Sequence, residues 1–430
     1  MGLLASVLSG ACNDGFLGYS NEARCEGEKT RCKAPPEHEY GYLSAAQSRA
    51  LPLRDLTPLV LDQAFTLECG GLPFLGGAGS TVWVFCLDES KAALRARQYD
   101  ASGFVAEVPL PAPASLPADR QPTFQSYVGH ISTSDGPALG IEWTYPCADP
   151  KAYDCSLREL VRFSNDASVP PRRVVLSDRV PATGFLLEHA SLTDQGDGYF
   201  LSFENGNLSL AHVDEGGELL WLQEAFPEGF VAVQQFARGP IVFAEGKLSV
   251  LGELANGNLV LMDADAATGN LTARHVATES ESALIGRDSS DRLLVAYTDA
   301  EGQLHWLRSQ NGATEETTLV RQDYSLLAAI DLDADASGAS YLTTWSGDLD
   351  AQKLTLCRMD DAGAVACHVA PDAYIGELSI PEELRGLVPT DMPVLLPDLA
   401  FVSVSDDGSL YTLGKDKTLQ RYRFPEADAQ

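Results

Sequence analysis

The sharpest local feature of the chain is the stretch Asp331-Leu332-Asp333-Ala334-Asp335-Ala336-Ser337-Gly338. Asp331, Asp333 and Asp335 would offer hard oxygen ligands of the kind calcium takes, although Gly338 comes two places later than an EF-hand loop needs. In a strand, alternate residues share a face, so the three carboxylates would crowd and attract a cation. The other reading is a solvated hairpin loop between the first two strands of a sheet. Asp263 with Asp265 repeats the pattern more faintly. The seven histidines, at 38, 130, 189, 212, 275, 305 and 368, are scattered, which disfavours a local metal site. No nucleophile elbow, P-loop or H-E-x-x-H is present, and catalytic residues stay unassigned.

Cysteine chemistry is the second feature. Beyond Cys12, eight of the nine cysteines fall as sequence neighbours: Cys25 with Cys32, Cys69 with Cys86, Cys147 with Cys155, and Cys357 with Cys367. Eight cysteines allow about a hundred connectivities, but local geometry favours these four. The turn Asp360-Asp361-Ala362-Gly363 would set Cys357 opposite Cys367 on a hairpin, within bridging distance. An even set of local pairs without C-x-x-C reads as disulfides in an oxidising compartment; buried reduced thiols are the alternative.

The elements that must position these residues are strands. From about Leu59, apolar or alternating runs of a few residues are split by Asp-Gly, Glu-Gly and Asn-Gly turns, which are strong hairpin signals. Only Pro381–Leu387 reads as a helical turn. The runs fall into sets of four at 184–226, 282–320, 325–370 and 393–425, with less regular sets starting near Val60, Thr123 and Phe230. A four-stranded sheet with two apolar faces cannot bury both alone, whereas stacking such sheets around an axis buries both. The expectation is an all-β chain folded as a β-propeller of seven four-stranded blades, with eight blades as the alternative. Trp83, Trp143, Trp221, Trp306 and Trp345, spread over five units, would pack the core or the spaces between blades.

Charge and hydropathy exclude several functions. With 30 Lys+Arg against 61 Asp+Glu the net charge is −31, which repels phosphate backbones and argues against nucleic-acid binding. No stretch of eighteen apolar residues offers a membrane-spanning helix.

Met1–Ala11 is apolar and small and runs into Cys12. It resembles the end of a bacterial lipoprotein signal peptide: Leu8-Ser9-Gly10-Ala11-Cys12 carries the pieces of that box with one extra residue, and no Lys or Arg precedes Arg24. The resemblance implies a signal-peptide remnant over 1–11 and lipidation at Cys12; the polar, aperiodic texture that follows reads as a tether, giving a tether over 12–58 ahead of the propeller over 59–430. Residues 51–61 turn apolar and offer that domain a strand. The implied location is the bacterial cell envelope, exported and held at the outer membrane or cell surface by the lipid alone.

Two stretches resemble the repeat of quinoprotein-type (PQQ-like) propellers. Leu210–Phe226 has Asp214, Gly217 and Trp221, and Leu259–Val276 has Asp263 or Asp265, then Thr268 and Gly269, with Arg274 where the repeat carries Trp. In such repeats Asp and Gly make the turn and Trp fills the gap between blades. The vicinal cysteines and acidic set of quinone-dependent dehydrogenases have no counterpart here, and no cofactor is implied beyond a calcium ion at Asp331, Asp333 and Asp335. The expected function is a non-catalytic, disulfide-stapled binding or scaffold lipoprotein with a protein or glycan partner at a propeller face. The alternatives are an exported enzyme, quinone-dependent or glycan-cleaving, and a structural subunit of a surface assembly.

Overall fold

Short runs rich in Val, Ile, Leu, Tyr and Trp, punctuated by Asp and Gly, become strands and tight turns in the computed structural model. It describes residues from 41 to 425 with gaps in connecting stretches, the longer ones at 112–122, 147–154, 176–186, 234–239, 321–327, 347–352 and 374–401. Positive-φ glycines stand in many of the turns, among them Gly269, Gly338, Gly363 and Gly408, where other residues would be strained.

Three strands precede the first blade: β1 (Gly41–Tyr42), β2 (Gln47–Pro52) and β3 (Val60–Thr66). Blade 1 comprises β4 (Phe74–Ala78), β5 (Thr81–Leu87), β6 (Ala93–Asp100) and β7 (Gly103–Pro111). Blade 2 comprises β8 (Thr123–Thr133), β9 (Gly136–Tyr145), β10 (Cys155–Arg162) and β11 (Arg172–Val175). Blade 3 holds β12 (Leu187–Leu192), β13 (Gly198–Glu204), β14 (Asn207–Val213) and β15 (Leu219–Gln223). Blade 4 is built from β16 (Val231–Ala232), β17 (Ile241–Ala244), β18 (Lys247–Glu253), β19 (Leu259–Ala264) and β20 (Leu271–Ala277). Blade 5 contains β21 (Ser280–Arg287), β22 (Leu293–Asp299), β23 (Leu304–Gln310) and β24 (Ala313–Val320). Blade 6 contains β25 (Ala328–Ala334), β26 (Ser340–Ser346), β27 (Lys353–Met359) and β28 (Val365–Ala370). Blade 7 holds β29 (Val402–Val404), β30 (Leu410–Leu413) and β31 (Thr418–Arg423). The first strand of each blade (β17 in blade 4) touches its counterpart in the next, and β29 touches β4, so the seven sheets close a ring. The protein is a seven-bladed β-propeller, and all described elements are strands.

Closure differs from the expected grouping at one place. Val60–Thr66, expected to open the first unit, instead pairs antiparallel with β31 as the outermost strand of blade 7, and blade 1 begins at Phe74. The alternation of β3 is equally compatible with either partner. Closing the ring from both chain ends ties the last blade to the segment just before the first, which an unbroken N-to-C order cannot do. The run at 393–399 and the turn at 381–387 lie outside the described residues.

Residues ahead of β3 follow the rim of the ring. β1 lies parallel to β20, β2 lies parallel to β24 over six residues, and Pro58 bridges to Val369 on β28. The N-terminal segment thus crosses the outer edges of blades 4, 5 and 6 before completing blade 7, covering edges that would otherwise be open to other chains.

The core consists of apolar layers between adjacent blades. Trp83, Phe85, Trp143 and Phe163 fill the layer between blades 1 and 2, and Trp306 packs with Leu332 and Cys357 between blades 5 and 6. Trp83, Trp143 and Trp306 are fully buried; at roughly 25 cal/mol per Å2 over ~200 Å2, each ring contributes about 5 kcal/mol relative to exposure. Trp221 lies over Gly269 of the next blade, and its Nε1–H donates to the Ala266 carbonyl at 2.8 Å. Arg274 uses its Nη2 to reach Asp263 Oδ1 at 2.8 Å, pairing within its own blade.

Candidate functional site

Most acidic residues at the turns serve the turns. Asp335 starts the turn between β25 and β26, and its Oδ1 accepts from Ser337 N, Ser337 Oγ and Ala339 N at 2.8, 2.6 and 3.1 Å. Asp100 with Ser102, Asp166 with Ser168, and Asp265 with Thr268 repeat the device. Those serine and threonine hydrogen bonds hold the carboxyls of Asp100, Asp166 and Asp265 below the ordinary aspartate range.

The three aspartates singled out by sequence are therefore dispersed in role. Asp331 and Asp333 are buried on β25, and Asp333 Oδ2 accepts the Val404 N–H of blade 7 at 2.8 Å. Asp335 Oδ2 accepts from the Tyr341 hydroxyl at 2.6 Å. Protein donors occupy the oxygens of Asp335, and among the described residues no three His, Cys, Asp or Glu side chains gather as a metal site requires.

Two disulfides are present, Cys69–Cys86 and Cys357–Cys367, with Cα–Cα separations of 5.4 and 4.0 Å. Cys357 and Cys367 are direct cross-strand partners on β27 and β28. Cys69 follows the closing strand β3, and Cys86 is on β5 of blade 1, so that bridge spans the point of ring closure. Cys12, Cys25, Cys32 and Cys147 lie outside the described residues, as does the side chain of Cys155.

A polar cleft opens where blades 6 and 7 meet, on the face carrying the turns from first to second strand. Its cavity measures about 490 Å3. Asp335, Ser337 and Tyr341 contribute from the start of blade 6, and Arg358 from β27. Blade 7 supplies the turn Asp406-Asp407-Gly408-Ser409, and Arg423 and Phe424 come from the end of β31. The local sequence explains these positions. Asp-x-Ser-Gly and Asp-Asp-Gly-Ser each make a tight turn, and the register then places Tyr341 beside Arg358.

The groups in the cleft differ in what they have left to offer. Tyr341, fully buried, donates to Asp335 and accepts from Arg358 Nε at 3.2 Å. Burial, together with the hydrogen bond and charge of Asp335, pushes its hydroxyl well above the usual tyrosine range. Asp407 Oδ2 accepts from Arg421 at 2.6 Å, and its Oδ1 accepts from Ser405 Oγ and Ser409 N. Burial alone would raise the Asp407 carboxyl, but these bonds and the Arg421 charge hold it below its ordinary value. Asp406 is exposed, and neither of its oxygens takes a hydrogen bond among the described residues. Partial desolvation by the surrounding turns first, and then the charges of Asp335, Asp333 and Asp407, push its carboxyl up. Arg358 spends its Nε on Tyr341 and forms no ion pair among the described residues; Arg423, half-exposed, reaches Asp62 at 3.1 Å. Phe424 stands 5.9 Å from Tyr341 and 5.1 Å from His368, giving the cleft an aromatic wall.

Of these residues, sequence reasoning reached Asp335 alone. The turns at 335–338 and 406–409 were a usable signal, but nothing local announced that Arg358 and Arg423 would line the same cleft. Among the tryptophans whose side chains are described, Trp83, Trp143 and Trp306 are core and Trp221 seals blades 3 and 4; the side chain of Trp345 lies outside the described residues.

No family model matches the chain, and no curated protein matches it. Solved structures do match in shape, among them a Mycobacterium tuberculosis puromycin-hydrolyzing peptidase. That match has a TM-score of 0.42 at 14% identity and covers 74% of this chain and 50% of that one. The chain thus spans about half the length of that peptidase.

Proposed function

We propose that this propeller is an exported binding module of the bacterial cell envelope, held there through a lipidated Cys12 and engaging a protein or glycan on its turn face. The observation that carries the reading is the cleft between blades 6 and 7, where Arg358 and Asp406 keep hydrogen-bonding capacity that no other described residue uses. Side chains from several loops held by a rigid ring are a common way to build a recognition surface. The two disulfides support an oxidising compartment. Crosslinking in envelope extract, followed by capture of the full chain, tests the reading. A partner whose crosslinks map to the blade 6–7 turns is expected, and crosslinks confined to other parts of the ring would overturn it. Intact mass of the mature protein tests the anchor, which requires a start at Cys12 with added acyl mass.

A second reading, an exported glycan-cleaving enzyme, draws on one observation. Asp406 and Asp407 are neighbouring carboxyls that both line the cleft, and their surroundings push them in opposite directions, as a general acid and a partner base require. It requires hydrolysis of a polysaccharide that is lost in Asp406→Asn at unchanged melting temperature. Flat activity across acidic and neutral polysaccharides excludes it.

A further inference from the structure

The groups left unspent in the blade 6–7 cleft define a chemistry narrower than polar binding. Asp335, Asp407 and Tyr341 are consumed by turn, guanidinium and hydroxyl contacts, so the three-carboxylate character of the cleft is largely internal. Of the residues lining the cleft, Arg358 keeps both Nη groups and Asp406 keeps its carboxyl oxygens without a partner among the described residues, while Arg423 is half-exposed and Phe424 supplies an aromatic ring. A guanidinium with both Nη groups available matches a carboxylate in two parallel hydrogen bonds. A carboxyl with open oxygens accepts from hydroxyls, and an aromatic ring covers the apolar face of a small cyclic ligand. The volume, about 490 Å3, suits one or two sugar-sized units.

We propose that this cleft binds a small carboxylate-bearing polyol of the kind an acidic sugar presents, with its carboxylate on Arg358 and Arg423, its hydroxyls on Asp406 and its ring against Phe424. The inference rests on the binding-module reading and names the ligand class of that site. A terminal unit fits better than a long polyanion, because the net charge of −31 repels extended negative chains at long range, whereas the two guanidiniums act locally.

Titration of the full, disulfide-intact chain with sodium glucuronate, followed by calorimetry or amide NMR, tests this directly. Glucose and acetate serve as probes lacking the carboxylate and the polyol respectively. Saturable binding of glucuronate is expected, at least about tenfold tighter than either control. Arg358→Gln is expected to weaken it about tenfold or more, and Arg358→Lys, which keeps the charge but loses the paired donors, nearly as much. Arg423→Gln, at a half-exposed position, should weaken binding severalfold at unchanged melting temperature, and it decides the matter alone if the Arg358 variants fail to fold. Glucuronate binding no better than glucose or acetate, or undiminished in folded variants, would overturn the proposal. If that happens while crosslinks still map to the blade 6–7 turns, the ligand class is wrong and the binding-module reading stands. Loss of both removes the reading itself.

Discussion

Arg421 and Asp62 lie 359 positions apart in sequence and 2.6 Å apart in the ring. Arg421, on β31, is fully buried and also reaches Asp407 at 2.6 Å, with its guanidinium 5.9 Å from the Tyr411 ring centre. The pair ties the closing strand β3 to the C-terminal strand it completes, alongside backbone pairing from Val60–Arg423 to Thr66–Thr418. Ring closure therefore rests on an ion pair as well as on main-chain hydrogen bonds.

Removing that guanidinium leaves two carboxylates facing a buried gap. Arg421→Met is expected to cost about 3 kcal/mol, the lower end for breaking a buried ion pair, because Asp62 and Asp407 keep some solvent contact. Urea unfolding monitored by tryptophan fluorescence measures it. A change below about 0.5 kcal/mol would mean the main-chain ladder closes the ring unaided.

The Cys69–Cys86 bridge reinforces the same closure from the other side. Its 17-residue separation implies about 3 kcal/mol of stabilisation from restricting the unfolded chain. The double variant Cys69→Ser/Cys86→Ser should lose about that much stability and show faster hydrogen exchange at the amides of β3 than at those of β19. Uniform acceleration across all blades would instead place the effect on global stability alone.

Packing between blades 3 and 4 is sensitive to a single methyl group. Gly269 has φ +73°, and a Cβ there would lie 2.8 Å from the Trp221 ring. Gly269→Ala adds left-handed strain to that collision and should cost about 2–3 kcal/mol. Pairing it with Trp221→Ala should recover part of the collision cost, a non-additivity that a double-mutant cycle reads out.

His305 makes stability depend on pH. Its ring nitrogens meet Glu316 Oε1 at 2.7 Å and Asp299 Oδ2 at 2.8 Å, while Tyr297 stacks on it and Thr318 Oγ1 lies 3.3 Å away. Burial alone would lower its pKa, yet the two carboxylates raise it above the ordinary value of 6.5. A histidine more basic when folded stabilises fully below the unfolded value and loses that contribution as pH rises through the folded one. The parent should lose stability upward from about pH 6.5 relative to His305→Asn. Urea midpoints on either side of that pH check the sign, and parallel profiles would show that the imidazole titrates as it does unfolded.

Local chemistry made much of the architecture legible. Period-two runs and Asp-Gly turns announced hairpins, their grouping announced blades, and Cys357 and Cys367 were placed opposite each other by the turn at 360–363. Strand existence, turn position and nearest-neighbour bridges depend on a few consecutive residues, and the sequence by itself determined them. Only the tertiary structure decided that Val60–Thr66 completes blade 7, that Gly41–Tyr42, Gln47–Pro52 and Pro58 follow the edges of blades 4 to 6, and that Arg358 and Arg423 line one cleft with Asp406 at a blade junction. The reason is physical. A strand's alternation states which of its faces is apolar but not whose edge it joins, and partners hundreds of residues apart are selected by closure of the whole ring. The same holds for Asp331, Asp333 and Asp335: their spacing suggested a shared ligand, but the fold gives Asp333 to the next blade's backbone and Asp335 to its own turn and Tyr341.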